Sequence, residues 1–232
     1  MKKSRDIKKE MSELASQRSS VYGFLARVYS RELNSALLNR IQDPRFMGVL
    51  FDLEVQLGDE FFSRPKHELL ENLAVEYTRL FLGPGRHISP HESMHHQRND
   101  GDWGKLWGAS TVEVKKFIES AGLHYKPEYT GLPDHISVEL EFMQVLTKEE
   151  SRAWNRNDMD RVHYCCQIEK KFMNEHLLKW VHIFCNKVIS DAGMSFYREI
   201  AAITKNFMEL ENEELGGCYS KAYEEQLLKA RN

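Results

Sequence analysis

Ile136-Ser137-Val138-Glu139-Leu140-Glu141-Phe142-Met143-Gln144-Val145-Leu146 is the stretch that decides the fold class. At about 100° per residue, Ile136, Leu140, Met143, Leu146, Phe142, Val138 and Val145 fill a broad apolar arc. Ser137, Glu141, Gln144 and Lys148 share a narrow polar strip. The spacing predicts an amphipathic helix opened by Pro133 and Asp134 and running to about Trp154. Glu139 breaks the pattern by falling between Leu146 and Met143. A carboxylate on an apolar arc is costly unless it is paired or hydrogen-bonded. Either a neighbouring helix satisfies it or it meets a ligand directly.

The same three- and four-residue period continues outward in both directions. It predicts helices over Asp6 to Tyr29, Ser35 to Ile41, Pro44 to Leu57, and from Pro65 to a stop at Gly83 and Pro84. On the other side it predicts a helix from Ser110, where Ser110 and Glu113 have capping-box spacing. A break follows from Gly122 to Leu132, and beyond the central helix come Asp158 to Asp191 and Ser195 to Glu211. In the first of these, His176 lies on a stripe with Cys165, Phe172, Trp180 and Ile183. It and Glu139 are therefore expected to tether helices to one another. No convincing alternation of apolar and polar residues is bounded by turns. The expectation is an all-α bundle, one domain over 1–232, with a long irregular loop at about 83–108. That loop holds five glycines, two prolines, His87, His91, His95, His96, Trp103 and Trp107. Loops of such length inside a compact domain are usually functional or disordered, and two tryptophans argue against disorder.

Composition removes several classes of function. With 41% apolar and 29% charged residues, 6 prolines and 13 glycines, the chain reads as an ordinary globular protein. A net charge of −3 without a basic block implies no nucleic-acid partner. No membrane span is expected, and Met1 to Glu10 lacks the apolar run of a signal peptide. Cys165, Cys166, Cys185 and Cys218 form no C-x-x-C pair, and reduced thiols in a cytoplasmic protein are the expectation.

One motif points to catalysis. His91-Glu92-Ser93-Met94-His95 matches H-E-x-x-H, in which two histidines one helical turn apart share zinc and the glutamate serves as base. Ser89 could cap such a turn and Pro90 could begin it. Against this, Gln97 to Gly101 cut the turn short, no strand precedes it, and neither Glu113 nor His124 stands out as a third ligand. A zinc-dependent hydrolase using His91, Glu92 and His95 is the alternative reading. No phosphate loop or nucleophile elbow is present.

Four segments taken in order carry a resemblance. They are Glu76-Tyr77-Thr78-Arg79-Leu80-Phe81-Leu82-Gly83-Pro84-Gly85, Pro90-His91-Glu92-Ser93-Met94, the run Leu132 to Met143, and Phe172 through Glu175, His176, Leu177 and Trp180 to Phe196 and Tyr197. Together they resemble the TorD/DmsD/NarJ family of redox-enzyme maturation chaperones. The resemblance implies an all-helical, cytoplasmic protein that is not an enzyme and needs no cofactor. Its implied client is the catalytic subunit of a molybdopterin-containing oxidoreductase. The chaperone would bind the client's amino-terminal segment, commonly a twin-arginine signal, until the cofactor is inserted. Carried over by position, the peptide-contact residues are Tyr77, Pro90, His91, Glu92, Ser93, Asp134 and His135. His91 and His95 depart from the aromatic residues that relatives often carry there.

A twin-arginine signal requires carboxylates for two guanidinium groups and apolar walls for the segment that follows. Asp134, Glu92, Asp100 and Asp102 are the candidate acids; Trp103, Trp107, Leu80 and Phe81 are the candidate walls. Asp134 equally suits a helix cap, and the two tryptophans equally suit anchoring the loop. Long helices joined by extended loops also leave a homodimer or a domain-swapped form open.

Overall fold

The computed structural model describes residues 2–52 and 54–230, with side chains over 7–51, 54–213 and at 215. In chain order the helices are α1 (Lys2–Ser30), α2 (Ser35–Ile41), α3 (Pro44–Asp52), α4 (Asp59–Ser63), α5 (Lys66–Tyr77), α6 (Ala109–Ser120), α7 (Ile136–Arg156), α8 (Met159–Phe172), α9 (Leu178–Asp191) and α10 (Ser195–Ala230). The fold is all-α. Among the described residues there is no strand, only one isolated antiparallel bridge between His91 and His135. No described helix is long and apolar enough to cross a membrane.

Helix ends follow local chemistry, with departures from expectation that include α3, α6, α7 and α10, which runs on to Ala230 past Glu211. Asn34 caps α2 by accepting from the Leu37 N–H at 2.9 Å, and Asn157 closes α7 in the left-handed region at φ 58°. Gly122, at φ +80°, ends α6 as glycine does without strain. α3 stops at Asp52 instead of reaching Leu57. α6 starts at Ala109, and no side chain bonds its cap residue Gly108. The Ser110 and Glu113 capping box does not form, because the helix already begins at Ala109, which puts Ser110 inside it, and Glu113 pairs with Arg98 at 2.6 Å. α7 starts at Ile136, three residues after Pro133. His135 caps it by accepting from the Ser137 N–H at 3.1 Å, while Asp134 faces elsewhere.

The core lies where α1 runs along α7, with α8, α9 and α10 beside them. Tyr22, Tyr29, Phe61, Phe172, Trp180, Phe184, Phe196 and Tyr197 are fully buried in it. Each such side chain contributes about 1.5–3 kcal/mol by leaving water. Two π turns interrupt the helices, at Thr78–Leu82 after α5 and at Met173–Leu177 between α8 and α9. The segment expected as one helix from Asp158 to Asp191 thus carries a π turn at Met173–Leu177, which includes His176, with the backbone right-handed helical at both of its ends. Cys165, Cys166 and Cys185 are free, and burial pushes the Cys165 and Cys185 thiols up to about 12. Thiolates are therefore disfavoured at neutral pH. The side chain of Cys218 lies outside the described residues.

One buried ionic cluster had no warning in the sequence. Arg18 of α1 donates to Glu211 of α10 at 2.8 Å, to Glu150 of α7 at 2.9 Å and to Glu169 of α8 at 2.6 Å. Tyr22 and Trp154 donate to Glu211 and Glu150 at 2.8 and 2.9 Å. Burial pushes the Glu169 carboxyl up to about 8 against the pull of Arg18. The cluster joins four helices, and removing one member would leave the others buried without their partner.

Candidate functional site

The loop between α5 and α6 is bolted to the bundle from beneath. Its backbone pairs with the segment before α7: Ile136 N–H donates to Pro90 O at 2.8 Å and Glu92 N–H to Asp134 O at 2.9 Å. The Asp134 carboxylate then accepts from the Ser93 N–H at 3.0 Å. Asp134 thus anchors the short 3₁₀ turn Glu92–Met94 rather than α7. The bridge brings together two motifs far apart in the chain, and the His91 and His135 rings meet edge to face with centroids 5.0 Å apart.

Glu92 is the centre of the inner surface. Fully buried, it accepts from His96 Nδ1 at 2.7 Å and from His176 Nδ1 in the second π turn at 3.0 Å. Burial pushes the Glu92 carboxyl up, but the bonds from His176 and His96 together outweigh it and hold the group below the ordinary carboxylate range. Glu139 responds the other way. It accepts from Trp180 Nε1 at 3.2 Å, yet burial and the nearby Glu92 charge raise it well above that range. It is a neutral acid beside an ionised one.

A second link is made by His95, which stacks on Trp180 with the rings 2° from parallel. Its Nε2 lies 2.7 Å from Ser89 O and its Nδ1 3.1 Å from Lys187 Nζ. A carbonyl can only accept and an ammonium can only donate. The neutral ring therefore carries its proton on Nε2. Burial holds His95 down to about 4 and His135 to about 3.

These contacts redistribute the expected site residues. Tyr77, Leu80 and Phe81 are buried at 2%, 0% and 3% exposure, and the Tyr77 hydroxyl donates to Tyr29 O at 2.9 Å. Leu80 and Phe81 lie in the core cluster, where Phe81 packs against Tyr29, Tyr77 and Phe184. Pro90, Glu92, Ser93 and Asp134 are also buried. Asp134 and Glu92 therefore offer no carboxylate to a guanidinium arriving from solvent. His91 and His135 are half-buried. Asp100 is taken by Arg98 at 2.8 Å, which drives its carboxyl to about 2, and Asp102 pairs with Lys105 at 2.7 Å and accepts from the Ala109 N–H at 2.9 Å. His176 is a tether, but to the loop rather than to another helix; Glu139 does join two helices.

The zinc arrangement fails on geometry. Glu92–Met94 is a 3₁₀ turn, so His91 and His95 do not share a helical face. His91 Nδ1 meets Ser89 Oγ at 2.9 Å, His95 is committed to Ser89 O and Lys187, and Glu92 points at His96 and His176. Among the described residues, no group of three or more His, Cys, Asp or Glu could hold a metal ion.

The outer side of the loop is different. Trp103, Leu106 and Trp107 are 44%, 48% and 71% exposed. They do not anchor the loop; buried polar contacts do that. Trp107 sits at φ 61°, a strained position for a bulky residue. A cleft of about 330 Å³ opens between α6 and α7, with Ile118, Tyr125, Tyr129, Val138 and Phe142 in its walls and Glu141 at its edge. Sequence reasoning passed over Tyr125 and Tyr129, treating Gly122 to Leu132 only as a break. Two tyrosines in so short an irregular stretch were the available signal.

A family model described as nitrate reductase delta subunit matches residues 50–186. The chain belongs to that family. The matched stretch contains the loop, α6, α7 and the second π turn. Among curated relatives, a chaperone protein TorD from Shewanella loihica is 23% identical over 218 residues, covering 86% of this chain and 93% of the relative. Another, from Aliivibrio salmonicida, is 22% identical, covering 90% and 99%. These relatives are named as chaperones and not as enzymes. A crystal structure of a proposed redox enzyme maturation protein from Archaeoglobus fulgidus is similar with a TM-score of 0.48 and 19% identity, covering 83% of this chain and 93% of that one. The resemblance read from four segments is met by the family match.

Proposed function

We propose that this member of the nitrate reductase delta subunit family is a single-domain cytoplasmic chaperone. Its client is the catalytic subunit of a molybdopterin-containing oxidoreductase, bound through an amino-terminal segment of twin-arginine type until the cofactor is inserted. The observation that carries the reading is the two-sidedness of the loop: fixed beneath by buried bonds, it keeps Trp103 and Trp107 in solvent. Exposed aromatics on a rigid support lose little conformational freedom when a partner covers them. The tyrosine-lined cleft supplies apolar walls, and exposed Glu141 supplies a carboxylate for a guanidinium. Asp134, Glu92, His91 and His135 act in this scheme as positioning residues.

Calorimetry with a synthetic twin-arginine signal peptide tests the proposal. Trp107→Gly is a suitable variant because the left-handed backbone at 107 favours glycine, so folding is preserved. Trp107→Gly combined with Trp103→Ala is expected to weaken binding at least tenfold, about 1.4 kcal/mol. Glu141→Gln is expected to weaken a peptide with both arginines more than one with two lysines, because only guanidinium forks onto a carboxylate. No binding to the wild-type protein, or unchanged affinity in both variants, would remove the proposal.

A further inference from the structure

Two clefts of about 550 and 650 Å³ lie along the outward face of α9, and both include Ile183. Lys179, Ile183, Asn186, Lys187 and Ser190 follow one stripe of that helix, at three- and four-residue steps. The two clefts are therefore one groove, floored by α9 and walled by the loop at Arg86 to Ile88 and at His96 to Asp100. From Lys179 to Asp191 it spans about 18 Å at 1.5 Å per helical residue. That accommodates roughly five or six residues of an extended chain at about 3.3 Å each.

The charge of this groove runs against that of the chain. Its acids are Asp100 and Asp191, and both are occupied: Asp100 by Arg98 at 2.8 Å and Asp191 by Arg79 at 3.1 Å. Arg86, Lys179 and Lys187 remain, all exposed. Among the described residues neither Arg86 nor Lys179 forms an ion pair, and Lys187 gives only a hydrogen bond to the neutral His95 ring at 3.1 Å. A protein of net charge −3 thus gathers uncompensated cations around a half-buried isoleucine. Such a groove repels an arginine pair and attracts carboxylates.

We infer that the α9 groove is a second docking surface, taking a short acidic segment with an apolar residue from a client protein. Carboxylates would meet Arg86 and Lys179 at its two ends, with the apolar side chain over Ile183. The inference rests on the chaperone reading only for the source of the occupant. Its charge logic is opposite to that of the twin-arginine site, so the two sites would hold different parts of one client.

The test is fluorescence anisotropy with a fluorescein-labelled hexapeptide of glutamates around a central leucine pair. The full-length protein is expected to bind it, with affinity falling as salt is raised. Arg86→Glu with Lys179→Glu is expected to weaken binding at least tenfold, whereas Arg27→Glu with Lys148→Glu, an equal charge change at exposed positions elsewhere, leaves it intact. Failure to bind, or equal loss in both double variants, overturns the inference. So does displacement by a twin-arginine peptide, which would mean one site, or stronger displacement by inorganic pyrophosphate, which would make the groove a phosphate site. Binding of the acidic probe alone, with no affinity for the twin-arginine peptide, would leave this groove standing and defeat the function proposed above.

Discussion

Replacing Glu92 by alanine should cost far more stability than its place in an irregular loop suggests. The carboxylate is fully buried and accepts from His96 at 2.7 Å and from His176 at 3.0 Å, with the His176 side chain only 4% exposed. A hydrogen bond to a charged group is worth about 1.5–3 kcal/mol, so losing two gives about 3–6 kcal/mol, and the range for breaking a buried pair narrows this to about 3–5 kcal/mol. At about 2–4 °C per kcal/mol for a domain of this size, the melting temperature should fall by roughly 6–20 °C. The decisive assay is a double-mutant cycle in urea, followed by circular dichroism, with Glu92→Ala, His176→Ala and the combination. Because both variants break the same bond, the combined cost should fall short of the sum by about 1.5–3 kcal/mol. The pH dependence adds a check. With its folded carboxyl held low, Glu92 stabilises the protein fully above its unfolded value of about 4.3, and that contribution is lost as pH falls through the lower folded value. Glu92→Gln should lack that part of the acid transition. Additivity within about 0.5 kcal/mol would show that the two side chains do not hold the loop together.

Two further outcomes concern pH. Glu169 titrates near 8 in the folded chain, so it binds a proton that the unfolded chain has already released, and stability should fall as pH rises from about 4.3 to 8. Glu169→Gln should flatten that fall, whose slope approaches about 1.4 kcal/mol per pH unit, in urea titrations across this range. His95 acts with the opposite sign: held near 4, it stays neutral while the unfolded ring takes up a proton below about 6.5. Its contribution should vanish progressively from pH 6.5 down to 4, reaching about 3 kcal/mol, and His95→Gln should remove that dependence. Identical stability curves for wild type and variant would contradict the assigned neutral ring.

The sequence by itself determined the bundle. Helical periodicity is a local property: the arc from Ile136 to Leu146 is readable because neighbours three and four apart share a face, whatever they pack against. Ser35–Ile41 and the stop at Gly83 were legible for the same reason, as was the irregularity of 83–108. The polar strip and the misplaced Glu139 and His176 were also visible, because each violates its own helix. Only the tertiary structure decided what those residues touch. Arg18, Glu150, Glu169 and Glu211 carry no local mark of burial; four helices converge on them and exclude water. Asp134 looked like a cap for the next helix, and the fold turned it to Ser93 instead. Which aromatics face solvent was likewise undecidable in one dimension: Phe81 and Trp107 are equally apolar, but one enters the core at 3% exposure and the other stands out at 71%. Burial is set by the sum of neighbours brought from distant parts of the chain, and no local pattern carries that sum.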